Sequence, residues 1–242
     1  MKNIIFLFLL VILVSCEDDI YPVEENGILP EQEQIVETPP EGLKLKNKYG
    51  LISVEYFYNS NGFVDSLVST DNWLGDYSTK KYIYNEINQI IERRYTEVIP
   101  NDPQYNKKEI TYYTYNTANQ IISSLTYDKN NVAIGYKTYN YNSDGTLFDT
   151  SKKVVNGNVV QEGSTKYQFD TFRNPYYNIY PKAYRILNFV NKNNILVTEY
   201  YSGTDIYTNI HTLEYNSDNY IISEYISNMP LDTDDRRGFD YY

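Results

Sequence analysis

One turn recurs along this chain and constrains its fold more than any other feature. It reads Asn59-Ser60-Asn61-Gly62, Asn85-Glu86-Ile87-Asn88, Asn116-Thr117-Ala118-Asn119, Asn142-Ser143-Asp144-Gly145, Asn191-Lys192-Asn193-Asn194 and Asn216-Ser217-Asp218-Asn219. Each copy opens on Asn, carries Gly or Asn three positions later, and meets an aliphatic two residues beyond: Val64, Ile90, Ile121, Leu147, Leu196, Ile221. In five of the six, Tyr immediately precedes the first Asn, and Asp128-Lys129-Asn130-Asn131, after Tyr127, is a looser copy. The first Asn can close an Asx-turn with its side chain. The fourth position suits a residue at positive φ, which Gly tolerates and Asn accepts more readily than most. A type I turn followed by such a residue is a common hairpin connection. The flanking Tyr and aliphatic are then placed to pack across the ladder.

The pattern predicts an all-β protein. Turn signals starting at 116, 128, 142, 156 and 170 leave strands of about eight to ten residues. The expectation is an antiparallel up-and-down meander of about 12–13 strands, strongly curved or closed like a barrel, and water-soluble. With 29 Tyr against 9 Phe and one Trp, the chain is rich in a residue that favours strands and joins an apolar ring to a polar tip. No amphipathic helix is expected within residues 43–242. A membrane-spanning strand needs one uniformly apolar face. Residues 89–98 have none: one face reads Ile90, Glu92, Arg94, Thr96, Val98 and the other Ile91, Arg93, Tyr95, Glu97. Residues 159–169, read as one strand, turn Val160, Glu162, Ser164, Lys166 and Gln168 to solvent.

Tyr56 to Gly62 and Tyr139 to Gly145 resemble the RHS/YD repeat, Tyr-x-Tyr-Asn-x-x-Gly with Asn in place of the usual Asp. Phe169-Asp170 followed by Asn174-Pro175-Tyr176 resembles a motif of Bacteroidetes lipoproteins in a domain-of-unknown-function family. The resemblance implies a porin-like fold over about residues 45–228.

The N-terminus reads as an address. Lys2 precedes an apolar run from Ile4 to Val14, which fits a signal peptide and is short for an ordinary spanning helix. Leu13-Val14-Ser15-Cys16 resembles the bacterial lipobox, which implies lipidation of the only cysteine. Several acyl chains together hold a protein in a bilayer where one is marginal. Glu17-Asp18-Asp19 resembles the surface-export signal of Bacteroidetes lipoproteins. Residues 17–42 contain nine acids, four prolines and no Lys or Arg, the composition of an extended spacer. Net charge is −11, or −12 once Lys2 in residues 1–15 is set aside, and this spacer holds −9 of that, leaving residues 43–242 at −3. With no evident basic face, the chain is not expected to bind nucleic acid. The expected organisation is a signal peptide (1–15), a lipidated cysteine and acidic tether (16–42), a Tyr-rich β-repeat domain (43–228) and a C-terminal tail (229–242). The expected address is the outer membrane, lipid-anchored and facing the exterior, with the periplasmic face as the alternative.

The candidates for chemistry are few. One cysteine permits no intramolecular disulfide, and one histidine excludes zinc sites built on several His or Cys ligands. No cofactor or metal is expected, and no phosphate-binding glycine loop is present. His211 shares a strand face with Tyr207, Leu213 and Tyr215, and nothing local supplies the nucleophile and carboxylate that catalysis requires. Asp232, Asp234 and Asp235 offer oxygen ligands of the kind calcium takes but lack the glycine and distal Glu of a recognised loop. Arg236-Arg237 is expected to offset their charge. Trp73, in a polar connection, serves either as a sugar-stacking platform or partner anchor or as a cap on one end of the sheet. The Tyr pairs 56/58, 82/84, 113/115 and 139/141 line a ligand surface or stabilise strand pairing.

These readings point to a lipid-anchored envelope protein that is not an enzyme and that binds a glycan or protein ligand. A structural lipoprotein working by β-augmentation is the alternative, and a surface hydrolase running through His211 is a more distant one. Replacing Cys16 with Ser is expected to release the protein from the membrane fraction. Unchanged retention of the Ser variant would overturn the anchor.

Overall fold

A computed structural model of the protein describes residues 36–38, 41–228 and 235–242. Leu13, Val14, Ser15 and Cys16, the spacer through residue 35, and Asp232 and Asp234 lie outside the described residues.

Fifteen strands form one sheet. In chain order they are β1 (Leu45–Tyr49), β2 (Ile52–Tyr58), β3 (Val64–Asp71), β4 (Tyr77–Tyr84), β5 (Ile90–Val98), β6 (Lys107–Tyr115), β7 (Ile121–Tyr127) and β8 (Ala133–Thr138). They continue as β9 (Lys152–Val155), β10 (Asn158–Glu162), β11 (Thr165–Arg173), β12 (Asn193–Ser202), β13 (Asp205–Tyr215), β14 (Ile221–Asn228) and β15 (Asp235–Tyr241). Every neighbouring pair is antiparallel, in the spatial order β8 to β1, then β15 to β9. The meander is as the turn pattern predicts, with more strands than the 12–13 expected. Residues 159–169 are not one strand: Gly163, at φ 55°, turns the chain between β10 and β11. Residues 235–241, assigned in the sequence to a tail, instead form β15 between β1 and β14.

The sheet does not close. Alternating antiparallel neighbours from β8 round to β9 leave these two edge strands running the same way. They cannot pair antiparallel, and the link between them contributes only the bridge Tyr141 to Leu147.

The repeated turn has the geometry its residues call for. Asn59, Asn85, Asn116 and Asn216 each accept backbone N–H bonds on Oδ1 from residues two and four further on, at 2.9–3.2 Å. Asp128 does the same. The fourth positions lie at positive φ: Gly62 88°, Asn88 66°, Asn119 58°, Asn131 59°, Gly145 81° and Asn219 63°. The copy at 191 is not a turn, because β12 already begins at Asn193 and Asn191 Oδ1 instead accepts the Val159 N–H.

Beside four of these turns a register shift falls at the tyrosine: Tyr58, Tyr84, Tyr115 and Tyr215. Such a bulge turns both the Tyr and the following aliphatic to the same side. Val64, Ile90, Ile121 and Ile221 are accordingly buried. The tyrosine hydroxyl then reaches the first residue of the neighbouring strand. Tyr58 donates to the Leu45 carbonyl (2.6 Å), Tyr84 to Val64 (2.5 Å), Tyr115 to Ile90 (2.9 Å), Tyr141 to Ile121 (2.8 Å) and Tyr241 to Ile221 (2.7 Å).

A plug, residues 174–192, fills the inner face at this end. Asn174 turns the chain by accepting the Tyr176 N–H at 2.9 Å. One helix follows, α1 (Lys182–Leu187), which the sequence reading did not anticipate. At six residues it is too short to show a helical period, and Pro181 stands at its N-cap. Phe189 ends it at φ 50°. Tyr180 and Tyr184 pack edge-on against Tyr82, at 5.6 and 5.5 Å between ring centroids, and Tyr56 meets Tyr176 at 6.4 Å. The Val64 N–H bonds the Ile179 carbonyl at 2.9 Å, so the plug is tied to β3 by backbone as well as by packing. The acidic spacer joins it too. Glu37 Oε1 accepts the Lys182 N–H at 2.5 Å, and Asn88 Nδ2 donates to the Glu37 carbonyl at 2.7 Å.

Burial raises the phenol pKa of Tyr56, Tyr82, Tyr180 and Tyr184 well above its ordinary value. In the unfolded chain these groups ionise at about pH 10. Their contribution to stability is therefore whole below that pH and is lost as pH rises through it, by about 1.4 kcal/mol per pH unit for each group. Urea midpoints are expected to fall steeply above about pH 10. Tyrosinate absorbance should appear together with unfolding rather than before it.

Candidate functional site

Three places in this framework are candidates for chemistry beyond the fold. The first is the turn between β3 and β4. Asp71 builds it, accepting the N–H groups of Trp73 (2.8 Å) and Leu74 (2.9 Å). Gly75, at φ 75°, completes it. Asn72 fastens it to the β1–β2 turn by donating to the Gly50 carbonyl and to Ser53 Oγ, both at 2.8 Å. The indole of Trp73 projects from this double turn and is 85% exposed. It does not cap the sheet, which was one of the two roles its sequence context suggested. Tyr49, Leu51, Ile52, Leu74 and Tyr77 are also exposed here. A depression of about 360 Å³ beside the indole is lined by Gly50, Leu51, Asn72, Asp235 and Arg236 as well as Trp73. The sequence reading singled out Trp73 but not its neighbours, because only the pinning of two distant turns brings Leu51 and Arg236 to it.

The second place surrounds His211. The structure supplies the partners that the local sequence lacked. His211 Nδ1 lies 2.8 Å from Glu224 Oε1, and Nε2 lies 3.2 Å from Thr198 Oγ1. Glu224 Oε2 meets Arg237 at 3.2 Å, and Arg237 meets Asp235 at 2.6 Å. These side chains come from β12, β13, β14 and β15 and share the inner face. Hydroxyl, imidazole and carboxylate stand in the order of an acyl-transfer triad. Thr198, however, is only 4% exposed, and the His211 and Glu224 side chains are 9% and 12% exposed. A nucleophile needs a free side facing the reacting carbonyl, and this hydroxyl offers little. The network ties four strands together across the inner face. Asp235, a candidate calcium ligand in the sequence, is engaged here by a guanidinium.

The third place is the edge strand β8, whose six residues are all exposed. On its outer side Ile134 and Tyr136 continue a surface begun by Tyr112. The Tyr pairs considered for a ligand surface are not part of any of these places. Tyr56, Tyr58, Tyr82, Tyr84, Tyr113, Tyr115 and Tyr139 all belong to the core or pack against it. No helix among the described residues is long and apolar enough to cross a membrane.

No family model matches the chain, so none corresponds to the repeat and family resemblances of its motifs. No curated protein matches it either. Among solved structures it is similar to a porin-like protein from Bacteroides uniformis ATCC 8492, with 10% identity, a TM-score of 0.40, and coverage of 85% of this chain and 100% of that one. It is also similar to a porin-like protein from Bacteroides vulgatus ATCC 8482, with 11% identity, a TM-score of 0.30, and coverage of 85% and 82%.

Removing the Glu224 charge strips both His211 and Arg237 of a partner. Glu224→Gln is expected to lower unfolding stability by about 2 kcal/mol, and Thr198→Val by about 1 kcal/mol. Denaturant titration of the two variants checks both values.

Proposed function

We propose that this chain is a non-catalytic binding module of the cell envelope, held there by lipid on Cys16, and that it engages its ligand through the aromatic and aliphatic patch around Trp73. The observation that carries the reading is the exposure of the only Trp on a rigid, doubly pinned turn. An exposed indole adds nothing to the core. Apolar rings held at fixed geometry bind with little loss of conformational entropy, which is why Trp is enriched where binding energy concentrates. The depression beside it, with Asp235 and Arg236 on its wall, adds polar groups that would orient a sugar or a peptide. The burial of Thr198 and its neighbours supports a module without hydrolytic chemistry.

The sole Trp makes the test direct. A screen of glycans and envelope or host proteins should find a ligand that shifts or quenches its fluorescence. Trp73→Ala should then weaken binding about tenfold or more, in the range of a 1.4 kcal/mol anchor, with the denaturation midpoint unchanged. Loss of stability without loss of binding would overturn the reading.

The second reading, β-augmentation by a partner strand, is favoured by one observation, the fully exposed β8. An edge this open is a template for another strand unless something covers it. A photo-cross-linker placed at Tyr136 in cells should capture a partner at one fixed position. Absence of any adduct would count against it.

A further inference from the structure

Two cations stand side by side on the inner face. Lys80 on β4 lies opposite Leu67 and Tyr95, and Arg93 on β5 lies opposite Tyr82 and Thr111. This register makes them diagonal neighbours on adjacent strands, within reach of one another for side chains of this length. Both are half-buried. Neither forms an ion pair among the described residues. Arg93 donates from Nη2 to Thr111 Oγ1 at 3.2 Å, and its Nε meets no acceptor. The Lys80 ammonium sits 5.9 Å from the centre of the Tyr95 ring. Burial first, and the Arg93 charge second, lower the Lys80 pKa.

Three carboxylates of this face are occupied. Glu97 is held by Lys107 at 2.9 Å. Glu224 and Asp235 are held by Arg237. Glu109 lies opposite Tyr95 and diagonal to Arg93, with which it forms no ion pair among the described residues. Elsewhere on the same face a guanidinium is flanked by two carboxylates, whereas here two cations face one another, an arrangement that costs stability and marks functional sites more than scaffolding. Hydroxyls surround them: Ser69 and Ser78 form one cross-strand pair, and Thr111 and Thr126 another, the latter 3.0 Å apart at their oxygens. Fixed neutral donors beside an arginine fork and a lysine point charge match the oxygens of an anion.

We propose that Lys80 and Arg93 form an oxyanion-binding site on the inner face, one that takes a carboxylate, sulfate or phosphate group. The site is separate from the Trp73 patch and does not depend on it.

The experiment is thermal unfolding of the full chain in sodium sulfate and in sodium chloride at matched ionic strength. Sulfate strengthens burial in any protein, but only gradually and at high concentration. A site gives an increment that saturates at low concentration, expected to be about 3 °C at tenfold Kd. Lys80→Met and Arg93→Met should each abolish that increment. Without anion, Lys80→Met should melt no lower than the parent, because a repulsion has gone; a merely structural lysine would lower it. If Arg93→Met fails to fold, Lys80→Met carries the test alone. A parallel titration with oligogalacturonate separates the sources. Saturation at a lower concentration than sulfate assigns the oxyanion to a sugar acid, and the reverse order assigns it to a free ion. Equal shifts in sulfate and chloride, with no response to oligogalacturonate, would overturn the site. An increment lost in Trp73→Ala but kept in Lys80→Met would also overturn it, while leaving the Trp73 reading intact.

Discussion

The bond from a turn-flanking tyrosine hydroxyl to a backbone carbonyl one strand away organises this molecule. A bulge at the hairpin end interrupts the ladder and leaves a carbonyl that the regular sheet does not use. The phenol supplies the missing donor, and its ring simultaneously seals the apolar layer beneath. Tyr58, Tyr84 and Tyr115 do this at a bulge, Tyr141 and Tyr241 make the same bond without one, all at 2.5–2.9 Å, and Tyr215 donates instead to the Asp170 carboxylate. A phenylalanine would bury the same ring but leave the carbonyl unpaired, at a cost of about 1–3 kcal/mol. This one structural job accounts for five of the 29 tyrosines.

The repetition gives the sheet two unlike ends. At the end of the Asn turns, the tyrosine rings and the aliphatics after each turn form an apolar floor. The 174–192 plug settles on this floor through Ile179, Tyr180, Ala183 and Tyr184. Towards the other end the inner face turns polar, carrying the Thr198–His211–Glu224–Arg237 network on one side and Lys80 with Arg93 on the other. The plug borders these residues, with Tyr184 beside Arg93 and Tyr176 beside Arg237. The edge strands β8 and β9 run the same way and do not pair, which leaves free edges.

The polar groups fall into two kinds, distinguished by whether their charges form ion pairs. Around Glu224 the imidazole, the Arg237 guanidinium and the Asp235 carboxylate each have a partner, and the hydroxyl beside the imidazole is enclosed, so the arrangement resembles a catalytic triad in order while acting as a brace. Lys80 and Arg93 form no ion pair among the described residues, and hydroxyls stand among their neighbours. Trp73 is a third case, a large apolar side chain held out in solvent by a turn fixed at five hydrogen bonds or more. Groups that stabilise nothing in the folded chain are the ones best explained by a ligand.

Much of this was legible without coordinates. The Asn-x-x-Gly/Asn turns, the Tyr before them and the aliphatic after them determined the all-β meander, because turn chemistry and positive φ are local properties. The helix α1 was hidden because six residues show no period. The strand β15 was hidden because Asp235-Arg236-Arg237 reads as a charged tail until Glu224 pairs with Arg237. The candidates Trp73 and His211 could be picked out by residue type, but their meaning could not. Thr198 and Glu224 lie thirteen residues to either side of His211, and no local pattern links them. By itself the sequence determined the turns, the strand class and the inward set of tyrosines and aliphatics. Only the tertiary structure decided which distant side chains meet across strands, which charges are left unpaired and whether the sheet closes, because those depend on register and direction between strands far apart in the chain.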